Sequence, residues 1–274
     1  MNSSKNSSRG RQDGDNKSFQ GNKKKEYKKI KATPKSDPSD GIRLNKYISN
    51  SGVSSRREAD KFIASGNVTI NGKVVTEMGF KVMPGDEVRF DGSSITPEQK
   101  KYVLLNKPKN YITTMDDERG RKTVMDLVVN AANERIYPVG RLDRNTTGLL
   151  LFTNDGELAK KLTNPKHNVQ KLYHVSLDKK FEVKHLHKLR DEVIIEGRKV
   201  FIDEIDFVAG ESRSEVGIKI HSGRNRIVRK IFEHLGYKVV KLDRVIFAGL
   251  TKKNLPRGRY RELTVQELNT LHMI

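Results

Sequence analysis

Three polar segments of this sequence combine side-chain types and spacings suited to chemistry. In Gly140-Arg141-Leu142-Asp143-Arg144-Asn145-Thr146-Thr147-Gly148, the carboxylate of Asp143 stands between two arginines in a glycine-bounded loop. That loop runs straight into Leu149-Leu150-Leu151-Phe152, a buried-looking strand. A loop at a strand end displays a reactive side chain on a rigid support, and the flanking guanidiniums favour an ionised carboxylate. An aspartate in such a place also makes ordinary turns. In Lys171-Leu172-Tyr173-His174-Val175, Tyr173 serves either as a core residue or as a platform on which a base stacks. In Gly223-Arg224-Asn225-Arg226-Ile227-Val228-Arg229-Lys230-Ile231-Phe232, the apolar residues share one helical face. At about 100° per residue, Arg229 lies roughly 60° beyond the edge of that face. From there its guanidinium reaches a carboxylate at the lip of a cleft, although a lone arginine in this position also serves as plain surface charge.

Composition narrows the chemistry. The 274 residues hold 54 Lys+Arg against 34 Asp+Glu, a net charge of +20 that points to a polyanionic partner. Cysteine is absent, which excludes disulfides, thiolate metal sites, iron–sulfur clusters and cysteine nucleophiles. The closest histidines, His185 and His187, fall on different faces of a helical stretch, so no metal site is expected. Phosphate-binding glycine signatures and the G-x-S-x-G nucleophile elbow are missing. No apolar run is long enough to cross a membrane and the N-terminus has no apolar leader, so a soluble, cytoplasmic protein is expected.

The elements that position these residues fall into three parts. Residues 1–40 carry 11 Lys+Arg, 5 acids and very few hydrophobics, the pattern of a disordered basic tail. Residues 42–92 read as two helices, with a Ser55…Glu58 capping box opening the second, followed by short strands joined at Asn71-Gly72. Arg43, Lys46, Arg56, Arg57 and Lys61 crowd those helices and suit RNA phosphates. After a polar linker at 92–100, residues 100–274 give strands at 102–105, 149–153, 171–177, 199–207, 215–221 and 239–247. Helices are predicted at 156–163, 182–191, 225–235 and 265–271, the last opened by Thr264…Glu267. Strands outnumber helices without strict alternation, which predicts an α+β fold with a mixed, largely antiparallel sheet.

The order of these pieces carries a resemblance. RLNKYISNSGVSSRREADKFIASGNVTINGKVV…VMPGDEV resembles the alpha-L RNA-binding module of a small-subunit ribosomal protein. G-R-L-D-x-x-[ST]-x-G-L-L, K-x-Y-x-V and G-x-N-R-x-[IV]-R-[KR], with Leu105-Asn106-Lys107-Pro108 ahead of them, resemble the motifs of the RsuA-type pseudouridine synthases. Arg226, where small-subunit-type members tend to carry histidine, fits the branch acting on large-subunit ribosomal RNA. Thr146 replaces the more frequent serine and keeps the hydroxyl.

The resemblance implies isomerisation of a uridine in ribosomal RNA, with no cofactor or metal. It implies Asp143 as the catalytic carboxylate, adding to C1′ or removing the 2′ proton. By the same resemblance Tyr173 stacks on the base and Arg229 pairs with Asp143. Lys107, Arg141, Arg224 and Arg226 are expected at the RNA backbone, and a monomer is expected. The competing reading is an RNA-binding ribosome-assembly factor that has lost catalysis.

Overall fold

The computed structural model describes residues 41–191 and 193–274; the basic tail read at 1–40 lies outside the described residues. After a short strand at Ile42–Arg43 come helices α1 (Leu44–Asn50) and α2 (Arg56–Ala64). The expected capping box starts α2: the Ser55 hydroxyl accepts from the Glu58 N–H, and the Glu58 carboxylate accepts from the Ser55 N–H at 2.8 Å. Leu44, Ile48, Ala59 and Ile63 pack on Val68, Ile70, Val82 and Val88 to close a small core. Asn71 and Gly72 take φ of 50° and 78°, the positive values that a two-residue primed hairpin turn requires.

The stretch read as a linker is more than a spacer. Ser93–Ser94 pairs with Val88–Phe90 as a further strand. The Glu98 N–H donates to the Asn50 carbonyl at 2.8 Å, while its carboxylate accepts from the Arg135 N–H at 3.2 Å. Lys46 of α1 pairs with Glu157 of the large domain at 2.5 Å. Polar side chains that look solvated in the sequence thus bridge the small module to the rest, because their partners are remote in the chain.

The large domain is built on a nine-stranded sheet. Its main strands are β1 (Tyr102–Lys107), β2 (Thr147–Thr153), β3 (Lys171–Leu177), β4 (Glu204–Phe207), β5 (Glu215–Ile220), β6 (Val239–Phe247) and β7 (Tyr260–Glu262). They lie in the order β4-β5-β3-β6-β2-β1-β7. Only β6 and β2 run parallel; the other neighbours are antiparallel. Helices α3 (Gly156–Thr163), α4 (Val183–Asp191), α5 (Ile227–His234) and α6 (Val265–Met273) cover the sheet.

Strand β2 explains its own unbroken apolar run. Leu149 and Leu151 face a core shared with α3 and α6, whereas Leu150 and Phe152 face a second core with Val124, Ile136 and Leu142. Burying one such side chain contributes about 2 kcal/mol, so β2 is a rigid base for the loop that precedes it. A third core joins β3 and β5 to α4 and α5.

Strand β7 was not expected, and two expected elements depart from the sequence reading. The single strand expected at 199–207 is broken: Arg198–Val200 hairpins with Val193–Ile195, and only Glu204–Phe207 joins the large sheet. Exposed Phe201 and the Asp203–His221 pair at 2.7 Å mark the turn between them. Helix α5 starts at Ile227, not Asn225, because Arg226 holds a left-handed φ of 51° that ends the helix on its N-terminal side.

Candidate active site

A cavity of about 630 Å³ opens where the Asp143 loop, β3, β6 and the 222–228 segment meet. The loop is fixed at its exit and by a buried lysine. At its exit Gly148 has φ of 106°, and a Cβ there would stand 2.3 Å from the Arg244 carbonyl. Only glycine lets β2 approach β6 this closely at the start of their parallel pairing.

From below, Lys107 clamps the loop. This lysine is 0% exposed, and its Nζ donates to the carbonyls of Pro108 (3.1 Å), Asp143 (3.1 Å), Arg144 (3.3 Å) and Thr146 (2.9 Å). Burial pushes its amine down to about 8, an effect the nearby Asp143 partly opposes. The expectation that Lys107 meets RNA phosphates is therefore corrected: the ammonium satisfies the backbone of the loop and is closed to solvent.

Above the clamp, the Asp143 side chain is 36% exposed at the cavity wall. Its cation is Arg226, with Nη1 3.5 Å from Oδ2. The pairing expected of Arg229 is not formed. Arg229 is 8% exposed, donates from Nη1 to the Val239 carbonyl at 2.8 Å, and leaves Nε without a partner among the described residues. Burial foremost, then Arg226, lowers its pKa, while Asp143 and Glu233 act the other way. The late start of α5 is the physical reason. It leaves Arg226 in a left-handed cap reaching the carboxylate, while Arg229 lies among the buried residues of α5.

Tyr173, 9% exposed, lines the cavity opposite Arg244 in strand register. Arg244 escaped the sequence reading. Its guanidinium sits 4.5 Å over the Phe247 ring, and Nε donates to the Leu149 carbonyl at 2.8 Å. The available signal was its position two residues after Leu242 in an apolar strand, which places both on one face. Lys171, also at the cavity, donates to the carbonyls of Val169 and His221, each at 3.0 Å, and burial pushes it down to about 8. Arg224 donates to the Ile195 carbonyl at 3.1 Å, and Arg141 is exposed on the rim. Away from the cleft, Arg43, Arg56, Arg57 and Lys61 are exposed on the small module, whereas Lys46 is engaged by Glu157. Among the described residues no group of three acidic or histidine side chains gathers as a metal site.

An accessible carboxylate at Asp143, a second at Asp117 held by Arg121, a buried phenol ring and several cations around a cavity of nucleotide size suit work on a nucleic acid. Comparison with known proteins identifies which kind. A family model described as RNA pseudouridylate synthase matches residues 101–234, and one for the S4 domain matches residues 42–88. The ribosomal large subunit pseudouridine synthase B of Bacillus subtilis is 40% identical over 235 residues, covering 85% of this chain and 96% of the relative. The chain belongs to the RNA pseudouridylate synthase family. The dual-specificity RNA pseudouridine synthase RluF of Escherichia coli is 36% identical over 234 residues, covering 84% of this chain and 78% of that one. A crystal structure of a pseudouridylate synthase, at 29% identity, covers 84% of this chain and 100% of its own with a TM-score of 0.59. The RNA-binding module in front of an α+β synthase domain is the arrangement the sequence motifs implied, and membership favours an RNA isomerase over the inactive assembly factor.

Proposed function

We propose that this synthase converts a specific uridine of large-subunit ribosomal RNA into pseudouridine, with Asp143 as its catalytic carboxylate. The observation that carries this reading is the convergence of Asp143, Arg226 and Tyr173 on one cavity. The Asp143 backbone is clamped from behind while its carboxylate stays accessible.

The reaction breaks the N1–C1′ bond, turns the detached uracil and joins C5 to C1′. Electron deficiency develops at C1′ as the bond breaks. An ionised carboxylate relieves it by adding to C1′ or by taking the 2′ proton, and both routes need a charged oxygen facing the ribose. The C5 proton is lost and N1 gains one, so every other atom is conserved and no nucleotide, metal or organic cofactor is consumed. One carboxylate suffices because water is not the acceptor. The target uridine must leave its stack to reach Asp143, so the nucleotide flips into the cavity, where Tyr173 offers its ring to the base.

Arg226 steadies the Asp143 carboxylate until RNA enters. Arg141 and Arg224 at the cavity, with Arg43, Arg56, Arg57 and Lys61 on the 42–92 module, take the RNA backbone. The 100–274 domain supplies the chemistry. The protein acts as a cytoplasmic monomer. Support for the large-subunit substrate comes from the relative in Bacillus subtilis, named for that subunit.

Tritium at uridine C5 tests the proposal, because forming the new C5–C1′ bond releases it. Large-subunit RNA or its assembly intermediates should release label at one position without a methyl donor. Release from small-subunit RNA alone would overturn the substrate assignment. Silence on every ribosomal RNA would overturn the reaction.

A further inference from the structure

The cavity is lined by two desolvated cations, Lys171, whose charge Asp203 favours, and Arg244, which has no carboxylate acting on it among the described residues. Arg244 is 3% exposed and lines the cavity, and its Nη2 has no partner among the described residues. A buried donor of this kind is costly unless something arrives to meet it. The side chain that favours its charged form is Tyr173, its partner across the strands. Asp243, next in the chain, lies on the opposite face of β6 and is held by Arg257 at 3.0 Å, by Thr147 at 2.9 Å and by Lys252. Lys171 adds a second cation close enough to repel Arg244. Asp143, on the other side of the cavity, is engaged by Arg226. Arg244 thus offers a buried donor that no carboxylate among the described residues meets.

The proposed reaction makes such an anion. When N1–C1′ breaks, the bonding pair stays on N1 and leaves uracil with a negative charge spread over N1, O2 and O4. We propose that Arg244 is a further catalytic residue, whose unpaired Nη2 donates to the departing uracil anion and stabilises it until C5 attacks C1′. Asp143 meets the electron-deficient sugar at one side of the cavity, and Arg244 meets the electron-rich base at the other. Fixed donors aimed at developing charge in a water-poor site are among the strongest catalytic devices. This inference rests on the pseudouridine synthase reading.

The test varies the leaving group. Fluorine at C5 makes uracil a better leaving group, so cleavage of 5-fluorouridine depends less on stabilisation of the anion. Single-turnover cleavage of the glycosidic bond is measured for uridine RNA and 5-fluorouridine RNA with the full chain, Arg244→Met and Arg244→Lys. Arg244→Met should slow the uridine reaction about 100-fold, with half-saturating RNA little changed and with a loss on 5-fluorouridine at least about ten times smaller. If Arg244→Met does not fold, Arg244→Lys carries the test: it keeps a cation but shortens the reach, and the same ordering of losses is expected.

Equal losses on both RNAs would assign Arg244 to packing of β2 against β6 and overturn the proposal. A change confined to half-saturating RNA would also overturn it, since that is a binding role. Failure of the wild type to cleave either RNA would sink the underlying reading instead, so the two failures are distinguishable.

Discussion

The small RNA-binding module and the cleft of the large domain use the same basic residues to opposite ends. Arg43 ahead of α1 and Arg56, Arg57 and Lys61 on α2 stand in solvent, Arg56 reaching Asn45 at 3.3 Å. Around the cleft, Lys107, Arg229 and Arg244 are almost wholly buried and each donates to a backbone carbonyl. The first group is screened by salt and free to meet phosphates. The second is desolvated and holds a loop and two strands in place, at a standing electrostatic penalty. A net charge of +20 is therefore two quantities, one that recruits RNA and one that builds the site.

Substitutions that separate the two groups should break this contrast in opposite ways. The largest effect is expected at Lys107. Lys107→Met removes the donor to four carbonyls and should lower unfolding free energy by about 3 kcal/mol or more, with loss of turnover. Chemical denaturation measures it, and unchanged stability would show that the Asp143 loop stands without its clamp. Arg226→Ala should leave stability within about 0.5 kcal/mol, as exposed ion pairs contribute little. It should still cut turnover on the order of tenfold, because the Asp143 carboxylate loses its 3.5 Å partner; a purely structural role would reverse that pattern.

Replacing Arg56, Arg57 and Lys61 together by alanine should weaken RNA binding about tenfold near physiological salt. The slope of log affinity against log salt should fall by about 2, since roughly 0.7–0.9 is lost per phosphate contact. Unfolding and single-turnover chemistry at saturating RNA should be unaffected, and an unchanged salt slope would remove these residues from the interface.

The buried amines also give a pH dependence. Burial lowers Lys107 and Lys171 from 10.5 to about 8. Between about pH 8 and 10.5 the unfolded chain therefore binds more protons at these two sites, so their contribution makes stability rise with pH there. Below pH 8 both states hold the protons and the penalty is constant. Denaturation from pH 7.5 to 10 should show a shallower rise in Lys107→Met than in the wild type.

Much of this was legible from the sequence where the cause is local. The capping boxes at Ser55 and Thr264 form as spaced, and Asn71-Gly72 turns as its residue types demand. The apolar run after Gly148 is a strand buried on both faces. The cavity collects Asp143 and Tyr173, which the motifs singled out. What was not legible depends on partners far along the chain. Lys107 looks like any cation beside a proline until residues 143, 144 and 146 fold over it. Arg244 looks like surface charge until it lies against Tyr173 and Leu149. The exchange of Arg226 for Arg229 beside Asp143 turns on where α5 begins, which a left-handed residue decides and periodicity does not.

The most direct test of the account is the release of tritium from C5-labelled ribosomal RNA by the wild type and by Asp143→Asn under single-turnover conditions. The substitution keeps the shape of the side chain and removes only its charge. The account predicts release by the wild type and a loss on the order of 10⁴-fold or more in the variant, with RNA affinity held within about threefold. Release by Asp143→Asn at a rate close to wild type would contradict the assignment of this carboxylate to the chemistry.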